Sequence, residues 1–260
     1  MLPSLEGQRV PDAHFLQRKD GVSVDLSTAE VFSAKTVVAF GLPGAFTPTC
    51  SSSHVPRYNE LAPSFKKVGV DRIVCISVND PFVMDAWRAD SKADSLLFLA
   101  DGNGAFTDAM GMLVDKSATG MGKRSQRYSM LVRDGVIERM FIEAEGAGDP
   151  FDVADADTML AHLGGSAPQD ILLFTKPGCS HCVRARALLT ARGLPWAELG
   201  TSPRILRALP GAHTTPQVFI DGLHIGGTDE LAEWLVPVSI APISEVAEDH
   251  GWTGSIFGHR

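Results

Sequence analysis

Short, unbroken apolar runs mark the first part of the chain at 37–42 (VVAFGL), 73–78 (IVCISV) and 96–100 (LLFLA), separated by polar, helix-like stretches such as 55–67. Runs this short, the first two rich in β-branched residues, read as strands buried on both faces, and their alternation with helices predicts βαβ units in a mainly parallel sheet. Segments 128–133 and 136–143 flank Asp134-Gly135, a two-residue hairpin signal, so an antiparallel pair should follow. Gly164-Gly165-Ser166-Ala167-Pro168-Gln169 then has linker chemistry. It divides the chain into an expected domain at 1–165 and another at 170–236. In the second, 171–175 reads as a strand and 179–192 as a helix stopped by Gly193. A hairpin follows around Asp221-Gly222, from 217–221 to 223–226, and then a helix at 229–235. The tail, 237–260, predicts no element.

Composition narrows the class. A chain of 260 residues matches roughly two domains of about 150 residues. With 44% hydrophobic and 21% charged residues it is globular rather than disordered or collagen-like. Lys and Arg number 23 against 31 Asp and Glu, a net charge of −8, so no basic surplus is available to neutralise phosphates and nucleic acid is excluded as a partner. The start MLPSLEGQRV lacks the apolar stretch of a signal peptide. No run approaches the roughly 18 apolar residues of a membrane helix, and the expectation is a soluble, unexported, cytoplasmic protein without membrane contact.

Four cysteines, Cys50, Cys75, Cys179 and Cys182, are too few for a disulfide scaffold, and two lie in reactive contexts. In Thr47-Pro48-Thr49-Cys50, Thr47 reads as an N-cap and Pro48 as the first helical residue, which puts Cys50 near a helix start. Free N–H groups and the positive dipole end there favour a thiolate. The Thr47 hydroxyl can donate towards the sulfur or a bound oxygen, and the prolines and serines around Cys50 suggest an exposed turn. The competing reading is a buried structural cysteine. Cys75, inside an apolar strand, is expected to be inert. His54 lies one helical turn beyond Cys50 and is read either as facing the sulfur or as a satisfied helix histidine.

Pro43-Gly44-Ala45-Phe46-Thr47-Pro48-Thr49-Cys50, continued by Ser51-Ser52-Ser53-His54, resembles the active-site loop of class-5 peroxiredoxins. The resemblance implies a thioredoxin-like fold, a peroxidatic thiolate at Cys50, and peroxide binding by Pro43, Thr47 and a distant arginine that Arg127 matches. An arginine opening a strand stays cationic and can hold a thiolate and a developing alkoxide together. Lys123 and Arg124 read as ordinary surface residues. Many class-5 relatives carry a resolving cysteine late in the domain; this chain has none between Cys75 and Cys179, so a sulfenic acid on Cys50 would need an outside thiol.

Cys179-Ser180-His181-Cys182 is a C-x-x-C at a strand-to-helix turn, the setting of a redox pair. Cys179, at the helix start beside Lys176, is the expected exposed nucleophile. Cys182 joins Ala185 and Leu189 on an apolar stripe. Zinc is the competing reading, but only His181, His213 and His224 could complete a site, and no metal is expected. The whole of 170–236 resembles a glutaredoxin: Lys176-Pro177-Gly178-Cys179 its active site, Thr214-Thr215-Pro216-Gln217 its proline loop, Gly226-Gly227-Thr228-Asp229 its glutathione turn. The resemblance implies a cis bond before Pro216, backbone pairing of Thr215 with glutathione, further contacts from Lys176 and Gly227, and a γ-glutamyl carboxylate held by Thr228 and Asp229. A helix start suits an anion.

Together the resemblances point to hybrid peroxiredoxin–glutaredoxin proteins, α/β chains with two thioredoxin-like domains in tandem. They imply a peroxidase for hydrogen peroxide and alkyl hydroperoxides, recycled by glutathione and Cys179, with Cys182 as the second cysteine of the redox pair, no bound cofactor, glutathione reductase acting indirectly, and assembly as a dimer or tetramer. The alternatives are a protein-disulfide oxidoreductase and a peroxide-sensing redox adaptor.

Overall fold

The computed structural model describes residues 2–144 and 149–236, so the 237–260 tail lies outside the described residues. Contacts divide the chain into two compact units, Met1–Pro168 and Gln169–Arg260.

In the first unit the strands are β1 (His14–Lys19), β2 (Val22–Ser27), β3 (Thr36–Leu42), β4 (Arg72–Ser77), β5 (Leu97–Ala100), β6 (Leu113–Asp115), β7 (Lys123–Ser125), β8 (Tyr128–Arg133) and β9 (Val136–Ile142). Seven of them form one sheet in the order β2-β1-β5-β4-β3-β8-β9, and β6 and β7 pair separately. The expectation of a mainly parallel sheet needs correcting. Only β3/β4 and β4/β5 are parallel in the large sheet, and hairpins close both of its edges. The β8/β9 turn has Asp134 at φ 46° and Gly135 at φ 75°, the left-handed pair that its sequence predicts. The β1/β2 turn at Asp20 (φ 51°) and Gly21 (φ 78°) is built the same way. It was hidden because these strands are largely solvent-facing and carry no apolar run.

β3 is apolar throughout because it is covered on both sides. Val38, Phe40 and Leu42 face one core with Tyr58, Phe65 and Trp87, while Val37 and Ala39 face another with Phe15, Phe106 and Tyr128. Helices from 55–67, 81–90 and 156–162 cover the first face, and the short helices at 28–32 and 105–109 the second. The helical stretch at 55–67 is two helices, Val55–Glu60 and Ala62–Lys67, since Pro63 has no N–H to continue the ladder. Gly41 admits no side chain: a Cβ there would lie 2.2 Å from Cε1 of the Tyr128 ring.

The second unit has β10 (Ile171–Thr175), β11 (Ala197–Gly200), β12 (Gln217–Ile220) and β13 (Leu223–Gly226), ordered β11-β10-β12-β13 with β10/β11 parallel and the others antiparallel. Helix Ser180–Ala191 supplies Ala185 and Leu189, and helix Thr228–Trp234 supplies Leu231, to a core with Ile171, Leu173, Val218 and Ile220.

Candidate active sites

The loop after β3 descends to Cys50. Asn79 holds it, its Oδ1 accepting the Ala45 N–H at 3.0 Å and the Ser77 hydroxyl at 2.8 Å. Arg124 donates to the carbonyls of Val78 (2.8 Å) and Met121 (2.9 Å), so it is a half-buried brace beside this loop rather than the surface residue expected. Helical backbone begins at Pro48, after buried Pro43 and Gly44. The Thr47 hydroxyl donates to the Gly44 carbonyl at 2.9 Å, so of the two acceptors expected for it, the sulfur and a bound oxygen, the sulfur is not the one it meets. Cys50 opens a π-helical turn, Cys50–His54, in which the Val55 N–H reaches the Cys50 carbonyl. Trp87 fixes the next residue by donating from Nε1 to Ser51 Oγ at 3.0 Å. The expected exposed turn is found only at its rim: Cys50 itself is 0% exposed, because its side chain points into the core beside Val55, Tyr58 and Cys75.

What separates Cys50 from an inert core thiol is a buried cation. Arg127 stands one residue before β8, and the two-residue repeat of a strand puts it on the same face as Leu131, which packs in the Cys50 core. Its side chain is 2% exposed. Nη1 lies 3.5 Å from Cys50 Sγ and 2.8 Å from His54 Nδ1. Nε donates to the Pro150 carbonyl at 3.1 Å, Nη2 to the Asp149 carboxylate, and the guanidinium lies over the Phe151 ring.

His54 does not confront the sulfur; its partners define its state. Nε2 is 3.2 Å from the Ala154 carbonyl, which can only accept, while Nδ1 meets the guanidinium, which can only donate. The ring is therefore neutral, with its proton on Nε2. Burial first, and the Arg127 charge second, push its pKa well below the usual histidine value. Cys75 sits in β4 with its thiol pushed well above the ordinary range, by burial and then by nearby Cys50.

In the second unit Cys179 caps helix Ser180–Ala191, its Sγ accepting the Cys182 N–H at 3.1 Å, and the two cysteines are joined as a disulfide with Cα atoms 5.3 Å apart. Cys182 is buried; Cys179 is half-buried rather than exposed, because Thr215 lies over it and donates its hydroxyl to Sγ at 3.5 Å. The Thr215–Pro216 bond is cis. A groove of about 410 Å³ is lined by His181, Thr215, Pro216, Gly227, Thr228 and Asp229, among others. Five of the six residues expected at glutathione thus converge. Lys176 is exposed and is not among the residues lining the groove. The Thr228 hydroxyl donates to the His181 carbonyl at 2.9 Å, the Asp229 carboxylate accepts from Arg184 at 2.8 Å, and Glu230 Oε2 accepts the Gly227 N–H at 2.8 Å, so a carboxylate of the chain itself stands at this helix start. Among the described residues no group of three or more His, Cys, Asp or Glu could hold a metal, and no helix is long and apolar enough to cross a membrane.

Sequence reasoning missed Asp149, Pro150, Phe151, Ala154 and Glu143. Two of these act through backbone carbonyls, which leave no trace in residue type.

Comparison with known proteins agrees with this arrangement. The redoxin family model matches residues 5–160 and the glutaredoxin model residues 171–225. The hybrid peroxiredoxin hyPrx5 of Haemophilus influenzae is 55% identical over 242 residues, 90% of this chain and 99% of its own length. Peroxiredoxin sll1621 of Synechocystis is 50% identical over 191 residues, 68% of this chain and 97% of its own. Reduced Prx3 of Vibrio vulnificus, solved in complex with hydrogen peroxide, superposes with a TM-score of 0.58 at 44% identity, covering 61% of this chain and 98% of that one. Fold and matches together define a thioredoxin-like thiol peroxidase, an oxidoreductase. Within that class the chain belongs to the hybrid peroxiredoxins, a redoxin domain followed by a glutaredoxin domain.

Proposed function

We propose that the protein reduces hydrogen peroxide and alkyl hydroperoxides with electrons from glutathione, in a reducing, cytoplasmic setting. The observation that carries this reading is the buried guanidinium of Arg127 with Nη1 3.5 Å from Cys50 Sγ. The Cys50 thiolate attacks one peroxide oxygen, an S–O bond forms as the O–O bond breaks, and the departing oxygen leaves as water or an alcohol after taking a proton. Arg127 stabilises the charge that develops on it. The sulfenic acid condenses with one glutathione, releasing water and leaving a mixed disulfide. Cys179 attacks the glutathione sulfur and frees Cys50, and a second glutathione removes the first from Cys179 as glutathione disulfide. The sum is one hydroperoxide and two glutathiones to one alcohol or water, one water and one glutathione disulfide. Thr215, Pro216, Gly227, Thr228 and Asp229 line the groove that would seat glutathione. No metal or bound cofactor enters the cycle.

Peroxide consumption coupled to glutathione and glutathione reductase tests the donor. Sustained turnover is expected there, with at most about a tenth of that rate when thioredoxin and its reductase replace them; the reverse preference would defeat the glutathione reading.

The six residues Gly164 to Gln169 would span about 13 Å even as a free coil, and Gly164 and Gly165, whose N–H groups are bonded to the Ala161 and Leu160 carbonyls, shorten the free tether further. So short a tether restricts which sites can meet, and we expect Cys179 of one chain to serve Cys50 of another in an oligomer. Mixing Cys50→Ser with Cys179→Ser under subunit exchange should restore glutathione-dependent activity that neither has alone. Absence of recovery, with exchange confirmed by mass, would assign the transfer to a single chain.

A further inference from the structure

Glu143 is a carboxylate 3% exposed, just past the end of β9, that the peroxide chemistry does not use directly. Its backbone N–H donates to the Arg127 carbonyl at 3.0 Å, and its own carbonyl accepts from the Gln126 amide at 2.9 Å. One oxygen, Oε1, accepts the N–H groups of Asp152, Val153 and Ala154, each at 2.8 Å. Three convergent backbone donors on one buried anion form a strong, charge-assisted clamp.

What that clamp fixes is the segment 149–155. This segment supplies the Asp149 carboxylate and the Pro150 carbonyl that bind the guanidinium, and the Phe151 ring beneath it. It also supplies the Ala154 carbonyl, which sets the proton of His54 on Nε2 and thereby leaves Nδ1 as an acceptor for Arg127. Asp149, Pro150, Phe151 and, through His54, Ala154 thus lie on a segment that Glu143 Oε1 holds at three N–H groups. Beside it the Tyr58 hydroxyl donates to the Ala154 and Asp155 carbonyls at 3.2 and 3.3 Å, and Glu143 is itself backbone-paired with Arg127.

We infer that Glu143 is a positioning residue for the attack of Cys50 on peroxide, acting by holding the 149–155 segment so that Arg127 is aligned on the sulfur. The inference rests on the peroxidatic reading of Cys50 and Arg127. Loss of the clamp lets the guanidinium swing away from Sγ, which raises the barrier to O–O cleavage and weakens stabilisation of the thiolate.

The experiment follows single-turnover oxidation of reduced, full-length protein by hydrogen peroxide in a stopped flow, without any recycling system. In parallel, the pH profile of Cys50 alkylation is resolved by peptide mass spectrometry. Glu143→Gln keeps an acceptor oxygen but loses the charge, and should slow oxidation about tenfold and move the alkylation profile to higher pH. Glu143→Ala should slow it further, by about thirtyfold or more; if that variant does not fold, the glutamine variant carries the test. Arg127→Met should slow oxidation by about a hundredfold or more. In that background Glu143→Gln should add less than about twofold, since its effect runs through the missing guanidinium. Losses that multiply, or wild-type rates and an unmoved alkylation profile in the Glu143 variants while Arg127→Met is slow, would overturn the role of Glu143 alone. Wild-type reactivity of Arg127→Met would overturn the peroxidatic reading of Arg127 and this role with it.

Discussion

Replacement of Cys50 by serine is expected to abolish peroxide consumption, by on the order of a thousandfold or more, because an alcohol held beside Arg127 is far less ionised and less nucleophilic than a thiol. Cys75→Ser is the matched control. Both thiols are 0% exposed and both lie in one core, so burial does not distinguish them. The guanidinium does: it touches Cys50, whereas burial and the neighbouring thiol hold Cys75 in its neutral form. Cys75→Ser should therefore keep activity within about twofold while losing about 1–3 kcal/mol of stability for the hydroxyl placed in an apolar strand. Steady-state peroxide consumption and thermal denaturation of the two variants check both halves. Substantial turnover by Cys50→Ser, or its loss in Cys75→Ser with the protein still folded, would assign the attacking sulfur to the wrong position.

The second large effect separates the two cysteines of the second unit. Cys179 caps its helix and faces the Thr215 hydroxyl, while Cys182 is buried one turn further in with Ala185 and Leu189. If glutathione completes the cycle, only the sulfur that can be approached needs to react. Cys179→Ser should then lose glutathione-supported peroxidase activity, to a few per cent or less, whereas Cys182→Ser should keep most of it. Equal failure would mean that Cys182 closes a disulfide on Cys179 in every turnover and that a dithiol cycle replaces the one proposed. Neither variant should alter single-turnover oxidation of Cys50, which is measured in the same proteins.

Residue type made much of this architecture legible. Asp134-Gly135 and Asp221-Gly222 mark hairpins because few other pairs accept two successive positive φ values, and the structure has both. The same signal at Asp20-Gly21 is weaker, since β1 (HFLQRK) does not alternate and neither strand carries an apolar run, although β2 (VSVDLS) does alternate. Their exposure follows from β2 forming the sheet edge and β1 meeting β5 at a single position, Leu16 against Ala100. Arg127, within Lys123-Arg124-Ser125-Gln126-Arg127, is indicated only by the resemblance to peroxiredoxins, whereas Cys50 and Cys179 could be located from loops with unusual proline, threonine and glycine content. The burial of Cys50 could not: the surrounding prolines and serines are those of a surface turn, and only the π-helical turn sends the sulfur inward. Nor could the brace formed by Arg124, whose acceptors are main-chain carbonyls, or the clamp at Glu143, whose donors are main-chain N–H groups and which reads in sequence as one more acidic residue after a strand.

The inward turn at Cys50 sorts its reactants by size. A peroxide presents two oxygens and needs only slight breathing of the loop above the sulfur. On the proposed cycle a tripeptide thiol reaches a side chain with no exposed surface only once the Cys50–His54 turn unwinds. Local opening of one turn costs far less than global unfolding, yet it is a separate event with its own rate. The recycling half of the cycle is thus expected to level off as thiol concentration rises, at a ceiling set by how often a single helical turn melts rather than by how reactive either sulfur is.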